Sequence, residues 1–195
     1  MNFRELGWIK RGKQKKSVFS AMKYPMLSSE IFKMAKKTNP KITFSDVTNI
    51  IRQAERREIV DCLTPDRRTG RVYFYSEYGR TIVRNAYEME IRKPDKDIDW
   101  DEYAEVIAGK TRKHVLNVIE SMKVQHAEGM TVAQIRRKLN AYYPISLNQT
   151  LSAVQSLVDT GLVRLKGFTK KRNAKLYGIT PEGSRISGYL LSLSQ

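Results

Sequence analysis

Apolar residues in the first half of the chain recur at the spacings of helices and strands. The clearest helical stripe follows i, i+3, i+4, i+7 spacing and consists of Val47, Ile50, Ile51 and Ala54. Such periodicity predicts helices over residues 14–23, 28–37 and 45–57. The apolar, β-branched runs 59–63 and 71–75 flank a turn-rich basic segment and predict a β-hairpin, and a further helix is expected over 78–91.

The second half repeats this order of elements. Its pattern predicts helices over 110–122, 131–140 and 147–160, strands over 162–166 and 175–179 around a basic loop, and a closing helix from Pro181. At an offset of 104 residues the halves pair Met26 with Met130, Pro40 with Pro144, Tyr73 with Tyr177 and Gly79 with Gly183. Between the third helix and the first strand the offset slips to 103, which pairs Val60 with Val163. This spacing indicates one structural unit used twice.

Helix starts carry local signals as well. Thr131 and Gln134 have the spacing of a capping box, in which each side chain accepts a hydrogen bond from the other residue's backbone N–H. Leu27 occupies the position of Thr131 in the first half and has no polar side chain. Ser28 is therefore expected to cap the first of these two helices.

Charge divides the chain into two basic bodies and an acidic stretch. The chain has 36 Lys and Arg against 20 Asp and Glu, a net charge of +16. Residues 1–92 and 106–195 each carry a net +10, whereas residues 93–105 carry −4 and include Pro94. We therefore expect domains over 1–92 and 106–195, joined by an exposed acidic linker over 93–105. The excess of positive charge makes nucleic acid the first candidate partner.

Other features narrow the cellular context. Cys62 is the single cysteine, so an intrachain disulfide framework is excluded. The sequence has no run of 18 apolar residues and no apolar core of a signal peptide near its start. These features predict a cytoplasmic, nucleoid-associated protein.

Short motifs resemble winged helix-turn-helix regulators of the MarR, PadR and ArsR kind. Residues 160–163, Thr-Gly-Leu-Val, are similar to the Gly-Leu-Val turn that ends the recognition helix of those proteins. Residues 177–183, Tyr-Gly-Ile-Thr-Pro-Glu-Gly, are similar to the Tyr-x-Leu-Thr-Pro-x-Gly that follows their wing. The first half has Glu58 in place of the turn glycine, and residues 7–12, Gly-Trp-Ile-Lys-Arg-Gly, resemble archaeal regulators. The resemblance implies a helix-dominated α+β fold of two tandem winged helix-turn-helix domains, each with three helices and a two-stranded wing.

In that arrangement the helix over 45–57 is the first recognition helix. The face opposite its apolar stripe and the flanks of that face carry Ser45, Thr48, Asn49, Arg52, Gln53 and Arg56. Arginine can bond to both acceptors of guanine, and asparagine or glutamine can pair with adenine. The alternative is a solvated helix face without a ligand.

The second recognition helix has no positive charge. Its expected inner stripe is Leu147, Leu151, Val154 and Val158, which leaves Asn148, Gln149, Ser152, Gln155 and Ser156 outside. Positive charge is expected from the preceding helix through Arg137 and Lys138 and from the wing through Lys166, Lys170, Lys171, Arg172 and Lys175. In the first domain Arg67, Arg68 and Arg71 take the equivalent place at the wing. Basic wing tips suit phosphate or minor-groove contacts, or they are only flexible, solvated hairpin tips.

Several features argue against catalysis. His114 and His126 lie far apart in the sequence, and no metal-ligand spacing, phosphate loop or nucleophile motif is present. We expect no enzyme activity, no metal and no cofactor, and we expect Cys62 to be a small buried apolar residue. An apolar stripe of Ile186, Tyr189, Leu190 and Leu193 either packs on its own domain or forms a homodimer.

The expected function is sequence-specific binding of double-stranded DNA in transcription regulation. Recognition helices would enter successive major grooves while the wings contact the DNA backbone. The sequence does not specify an effector ligand. The alternatives are an initiator that binds origin repeats, a protein-interaction scaffold and an RNA-binding module. Footprints beside an origin would favour the initiator. Absence of DNA binding near physiological salt would favour the scaffold, and competition by RNA would favour the RNA-binding module.

Overall fold

The computed structural model describes residues 3–91, 93–171 and 173–193. The chain divides into two units between Lys96 and Asp97, here called the N-terminal unit and the C-terminal unit. Both units combine helices with a small antiparallel sheet. The expectation of a helix-dominated α+β fold is therefore confirmed.

In its described residues the N-terminal unit has five helices and three short strands. They are α1 (Phe3–Lys10), α2 (Lys13–Ala21), β1 (Met26–Leu27), α3 (Ser28–Thr38), α4 (Phe44–Glu55), β2 (Val60–Cys62), β3 (Val72–Tyr75) and α5 (Glu77–Tyr87). The sheet is antiparallel with β3 between β1 and β2. Every helix before the hairpin, together with β3, buries apolar side chains in one core, and examples are Ile9, Phe19, Ile31, Ile51 and Phe74. Removal of this apolar surface from water is what holds α4 and the hairpin in place.

The C-terminal unit has the same order of elements, except that an isolated β-bridge takes the place of β1. Its elements are α6 (Trp100–Ala108), α7 (Lys110–Ser121), α8 (Val132–Leu139), α9 (Leu147–Asp159), β4 (Val163–Phe168), β5 (Lys175–Ile179) and α10 (Pro181–Ser192). Strands β4 and β5 form an antiparallel hairpin with an irregularity between Leu165 and Gly167. The core includes Leu116, Ile135 and Val154, which lie on α7, α8 and α9.

Equivalent residues make equivalent contacts in the two units. Met26 pairs with Tyr73 in the first sheet, and Met130 forms a β-bridge with Tyr177, both at the offset of 104. After α4, Glu58 has φ 57°, and after α9, Gly161 has φ 77°. The left-handed turn that glycine favours is thus present in both units although Glu replaces Gly in the first.

The acidic stretch differs from its prediction as a linker. Ile98 is buried, and α6 begins at Trp100 and buries Tyr103. The Asp99 carboxylate accepts hydrogen bonds from the N–H groups of Asp101 and Glu102, at 2.9 and 3.1 Å. Acidic side chains favour a helix N-terminus because free N–H groups and the positive end of the helix dipole lie there. Much of the negative charge expected of a linker therefore belongs to a helix start.

Two further boundaries differ from the sequence expectation. Leu27, not Ser28, is the N-cap residue of α3, and its N–H donates to the Glu30 carboxylate at 3.2 Å. Helix α5 ends at Tyr87 instead of residue 91, because Glu88 has φ 53° and its N–H donates to the Arg84 carbonyl. Helix α1 was not predicted.

The C-terminal apolar stripe packs within its own unit. Ile186 and Leu190 are buried, and the Tyr189 ring contacts the rings of Trp100 and Tyr103 edge-on, with centroids 5.9 and 5.8 Å apart. No helix within the described ranges combines the length and apolar character needed to cross a membrane.

Candidate nucleic-acid interface

Helix α4 begins with a capping box. Thr43 N–H donates to the Asp46 carboxylate at 2.9 Å, and Asp46 N–H donates to Thr43 Oγ1 at 3.1 Å. The hydrogen bond from the Thr43 backbone is the main cause that lowers the pKa of Asp46, and the Thr43 hydroxyl adds to it. The buried face is the predicted one, formed by Val47, Ile50, Ile51 and Ala54. This pairing of cap and stripe fixes which side chains α4 turns outward.

The outward face of α4 is polar and positively charged. Ser45, Asn49, Arg52, Gln53 and Arg56 are exposed, as predicted. Thr48 is half-buried, and its hydroxyl donates to the Ser45 carbonyl at 3.0 Å. Within the described residues the side chains of Arg52 and Arg56 have no hydrogen-bond or ion-pair partner, so both guanidinium groups are available to a ligand.

Arg57 has a structural role that the sequence did not reveal. Its guanidinium donates to the buried Glu5 carboxylate at 3.0 Å and lies 4.7 Å from the centre of the Trp8 ring. Lys15 lies 4.3 Å from the centre of the same ring, and burial, followed by the charges of Arg11 and Arg57, lowers its pKa. Arg57, just beyond the end of α4, is therefore tied to α1, which also contacts α2 through Lys15, while the preceding Arg56 remains exposed.

Hydrogen bonds from arginine side chains to backbone carbonyls order the tip of the first hairpin. Arg71 Nε donates to the Arg67 carbonyl at 2.6 Å, and Arg67 Nε points to the Thr69 carbonyl at 3.4 Å. The Thr64 hydroxyl accepts from Val72 N–H, and Gly70 supplies a φ of 67° that a tight turn requires. Arg68 is exposed. The three arginines thus stand on an ordered turn.

Helix α4 and the first hairpin form the two sides of one surface groove of about 420 Å³. Its charged lining is Arg52 and Glu55 from α4 and Arg68 and Arg71 from the hairpin, which leaves a positive excess. We call it the arginine groove. Sequence reasoning placed these arginines on two separate elements, and the fold brings them to one concave surface.

Helix α9 turns a different face inward from the one predicted. Its buried residues are Thr150, Ala153, Val154 and Leu157, whereas Leu147 and Leu151 are each 46% exposed. The predicted stripe followed the leucines, but the packed face is rotated by about one residue. Thr150 can be buried because its hydroxyl donates to the Ser146 carbonyl at 2.9 Å. The outward face of α9 therefore includes two leucines.

Polar groups on α9 are largely engaged within the helix or its unit. The Gln155 amide donates to Asp159 at 2.8 Å, and Gln149 accepts from Ser146 N–H at 3.1 Å in a capping box. Ser156 accepts from Arg112 at 3.1 Å. Asn148 and Ser152 are exposed. Helix α9 thus offers few free polar groups, and its charged outward residue is the acidic Asp159.

Basic residues of the C-terminal unit lie around α9 and not on it. Arg137 and Lys138 are exposed on α8, and Lys170, Lys171 and Lys175 are exposed at the second hairpin. Lys166 is exposed, but its ammonium donates to the Ala127 carbonyl at 2.7 Å. The predicted site residue Arg172 lies outside the described residues. Six of these basic side chains are thus exposed on α8 and at the second hairpin, and Lys166 among them is hydrogen-bonded.

Cys62 and His114 are both half-buried, each in its own unit. Cys62 is half-buried, not fully buried as expected, and loss of solvation raises the pKa of its thiol. His114 packs on the Tyr143 ring, with centroids 4.5 Å apart, and burial lowers its pKa. Among the described residues no group of three or more His, Cys, Asp or Glu side chains has an arrangement that could hold a metal ion.

Comparison of the chain with protein-family models, with curated proteins and with solved structures found no match. The chemistry of α4, α9 and the two hairpins is therefore what separates the candidate functions.

Proposed function

We propose that each unit is a winged helix domain and that the chain binds double-stranded DNA to regulate transcription. In this proposal α4 is a recognition helix and the β2–β3 hairpin is its wing. The order of helices before an antiparallel hairpin, present in both units, supports the assignment. The short motifs near α9 and β5 support it as well.

The arginine groove is the observation that carries the proposal. Base edges in the major groove are recognised by exposed, unpaired donors such as Arg52 and Asn49 on the outward face of α4. Phosphates flank those edges, and Arg68 and Arg71 stand on the opposite side of the same groove. A helix that reads bases beside a hairpin that holds the backbone needs this distribution of side chains.

The net charge of the chain also favours a polyanionic ligand. The chain carries a net +16, and both halves outside the acidic stretch contribute +10. Each phosphate contact releases condensed counterions, so a surface of this kind binds DNA with strong salt dependence. The N-terminal unit supplies base recognition in this proposal, and the C-terminal unit adds backbone contacts through its second hairpin.

The test is DNA selection followed by binding to the selected site. The purified chain is used to enrich fragments from a random duplex pool, and affinity for the enriched duplex is measured with duplex RNA as competitor. The double variant R52A/R68A should lose about 2 to 4 kcal/mol of binding free energy. Removal of two arginines from α5, R80A/R84A, is the charge-matched control and should lose less. No enrichment, or stronger competition by RNA, contradicts the proposal.

A second candidate function applies to the C-terminal unit alone. Leu147 and Leu151 expose apolar surface on α9, the helix that would read bases if this unit worked like the first. Exposed apolar patches with a polar surround are typical of protein contacts. The C-terminal unit is thus the candidate for a protein-binding module, and a leucine-to-serine variant that keeps DNA affinity but loses a bound partner would establish it.

A further inference from the structure

A cleft of about 560 Å³ lies in the N-terminal unit among α2, α3 and the end of α5. Its apolar lining comes from all three elements and their flanks and includes Ala21, Met34, Ala86 and Met89. The volume falls within the usual range of small-molecule sites, which are predominantly apolar with a few placed polar groups. The cleft shares no lining residue with the arginine groove, so DNA recognition by that groove does not account for it.

The rim of this cleft is positively charged. Lys16 and Lys23 reach it from α2 and the residues after it, and Lys37 reaches it from α3. All three are exposed, and their ammonium groups have no hydrogen-bond or ion-pair partner within the described ranges. Glu88 is the acidic residue in the lining, so the rim keeps a positive excess.

The cleft combines an apolar lining with a charged rim, so it suits a ligand that has an apolar body and a charged group. Ser20 also lines the cleft and is half-buried, and its hydroxyl has no hydrogen-bond partner among the described residues, so it can donate to an anionic oxygen. An inorganic anion would leave the apolar lining unused, and a neutral apolar compound would leave the lysines unused. We propose that this lysine-rimmed cleft binds a small organic anion with an apolar body, such as an aromatic or aliphatic carboxylate or sulfonate.

Two fluorescent probes of similar shape test this proposal on the full chain. Anilinonaphthalene sulfonate has the apolar body and the anionic group, and phenylnaphthylamine has the apolar body without the charge. Saturable binding of the sulfonate is expected to weaken about tenfold when three rim charges are removed, because each exposed charge pair contributes modestly. The variant carries K16A, K23A and K37A. Phenylnaphthylamine binding should change little.

A matched variant removes the same charge elsewhere in the N-terminal unit. Three exposed lysines outside the cleft are replaced in K10A, K13A and K33A. The sulfonate should bind this control like the unaltered chain. All six positions are exposed, so thermal melts of both variants should match that of the unaltered chain.

Three results would overturn the proposal. The first is no saturable binding of the sulfonate, and the second is equal weakening in the rim variant and the control. The third is loss of binding in L147S/L151S with full binding in the rim variant, which would place the probe on α9. None of these readouts involves DNA, so failure of the cleft proposal and failure of the DNA proposal are distinguishable.

Discussion

Helices α4 and α9 occupy the same place in two copies of one structural pattern, yet their outward faces differ. At the offset of 103, Arg52 corresponds to Gln155 and Arg56 to Asp159, while Thr48 corresponds to Leu151. The buried faces correspond as well, since Val47 and Thr150 both lie inward. A repeated core therefore fixes where a side chain points, and the residue at that point fixes what the unit can bind.

The largest expected effect on stability concerns a close approach between a glycine and a backbone carbonyl that both units share. A Cβ on Gly79 would lie 1.8 Å from the Ile59 carbonyl oxygen, and a Cβ on Gly183 would lie 2.2 Å from the Leu162 carbonyl oxygen. Gly79→Ala and Gly183→Ala should each destabilise their own unit by about 3 kcal/mol, because rigid backbone must move. Urea unfolding measures this. Gly188→Ala, with open space around its Cβ, is the control, and a glycine variant as stable as that control would contradict the shared geometry.

The next prediction exchanges a charge between the units. Arg56→Asp gives α4 the residue of α9 and should weaken binding to the selected duplex by about 1 to 3 kcal/mol. Asp159→Arg should strengthen binding, since it adds a cation at the end of α9 and frees the Gln155 amide. Arg84→Asp in the last turn of α5 is the matched charge reversal. Equal weakening by Arg56→Asp and Arg84→Asp would mean that only net charge matters.

A smaller effect separates the closing helices. The Tyr87 hydroxyl donates to the Ile9 carbonyl at 2.7 Å, whereas its equivalent at offset 104, Leu191, is exposed. Tyr87→Phe should cost about 1 kcal/mol of unfolding free energy. Leu191→Ala should cost less.

The same tyrosine predicts a pH dependence. Burial raises the pKa of Tyr87 to about 12, so the folded state keeps the neutral phenol at pH values where the unfolded chain ionises. Its stabilising contribution is complete below about pH 10 and is lost as pH rises towards about 12. Urea unfolding at about pH 8 and about pH 11 should show a smaller alkaline loss in Tyr87→Phe than in the unaltered chain. An identical loss would mean that Tyr87 ionises freely in the folded state.

The smallest expected change in stability concerns the second hairpin. K170A/K171A should reduce the slope of log affinity against log salt by up to about 0.9 for each lost phosphate contact. Affinity for cognate and non-cognate duplexes should fall alike, and stability should change by less than about 0.5 kcal/mol. K93A/K96A, at two exposed lysines of the acidic stretch, is the control. A slope equal to that of the control would show that the hairpin does not touch DNA.

The sequence predicted the repeat well because both halves keep strong periodic signals. It missed the inner face of α9 because leucine was preferred over threonine as a buried residue. The offset changes to 103 already between Pro40 and Ile42, since Ile42 and Ile145 are both buried before their helices. With the offset of 103 applied from Ile42 onwards, Thr150 aligns with the buried Val47.

Other features depend on contacts that periodicity does not contain. The acidic stretch resembled a linker because charge alone does not distinguish a solvated segment from the capped start of a helix such as α6. The arginine groove joins residues of α4 to residues of the hairpin, and the lysine-rimmed cleft joins three helices. Their convergence depends on tertiary packing, which spacing along the chain does not specify.

The central claim is that α4 reads bases and that α9 does not. Its most direct test compares Arg52→Ala with Gln155→Ala on the selected duplex and on a panel in which each base pair is changed in turn. Arg52→Ala should cost about 1 to 3 kcal/mol and remove the preference at one position, whereas Gln155→Ala should cost less than about 0.5 kcal/mol and keep every preference. Equal loss on cognate and scrambled duplexes for Arg52→Ala, or a changed base preference for Gln155→Ala, would contradict the account.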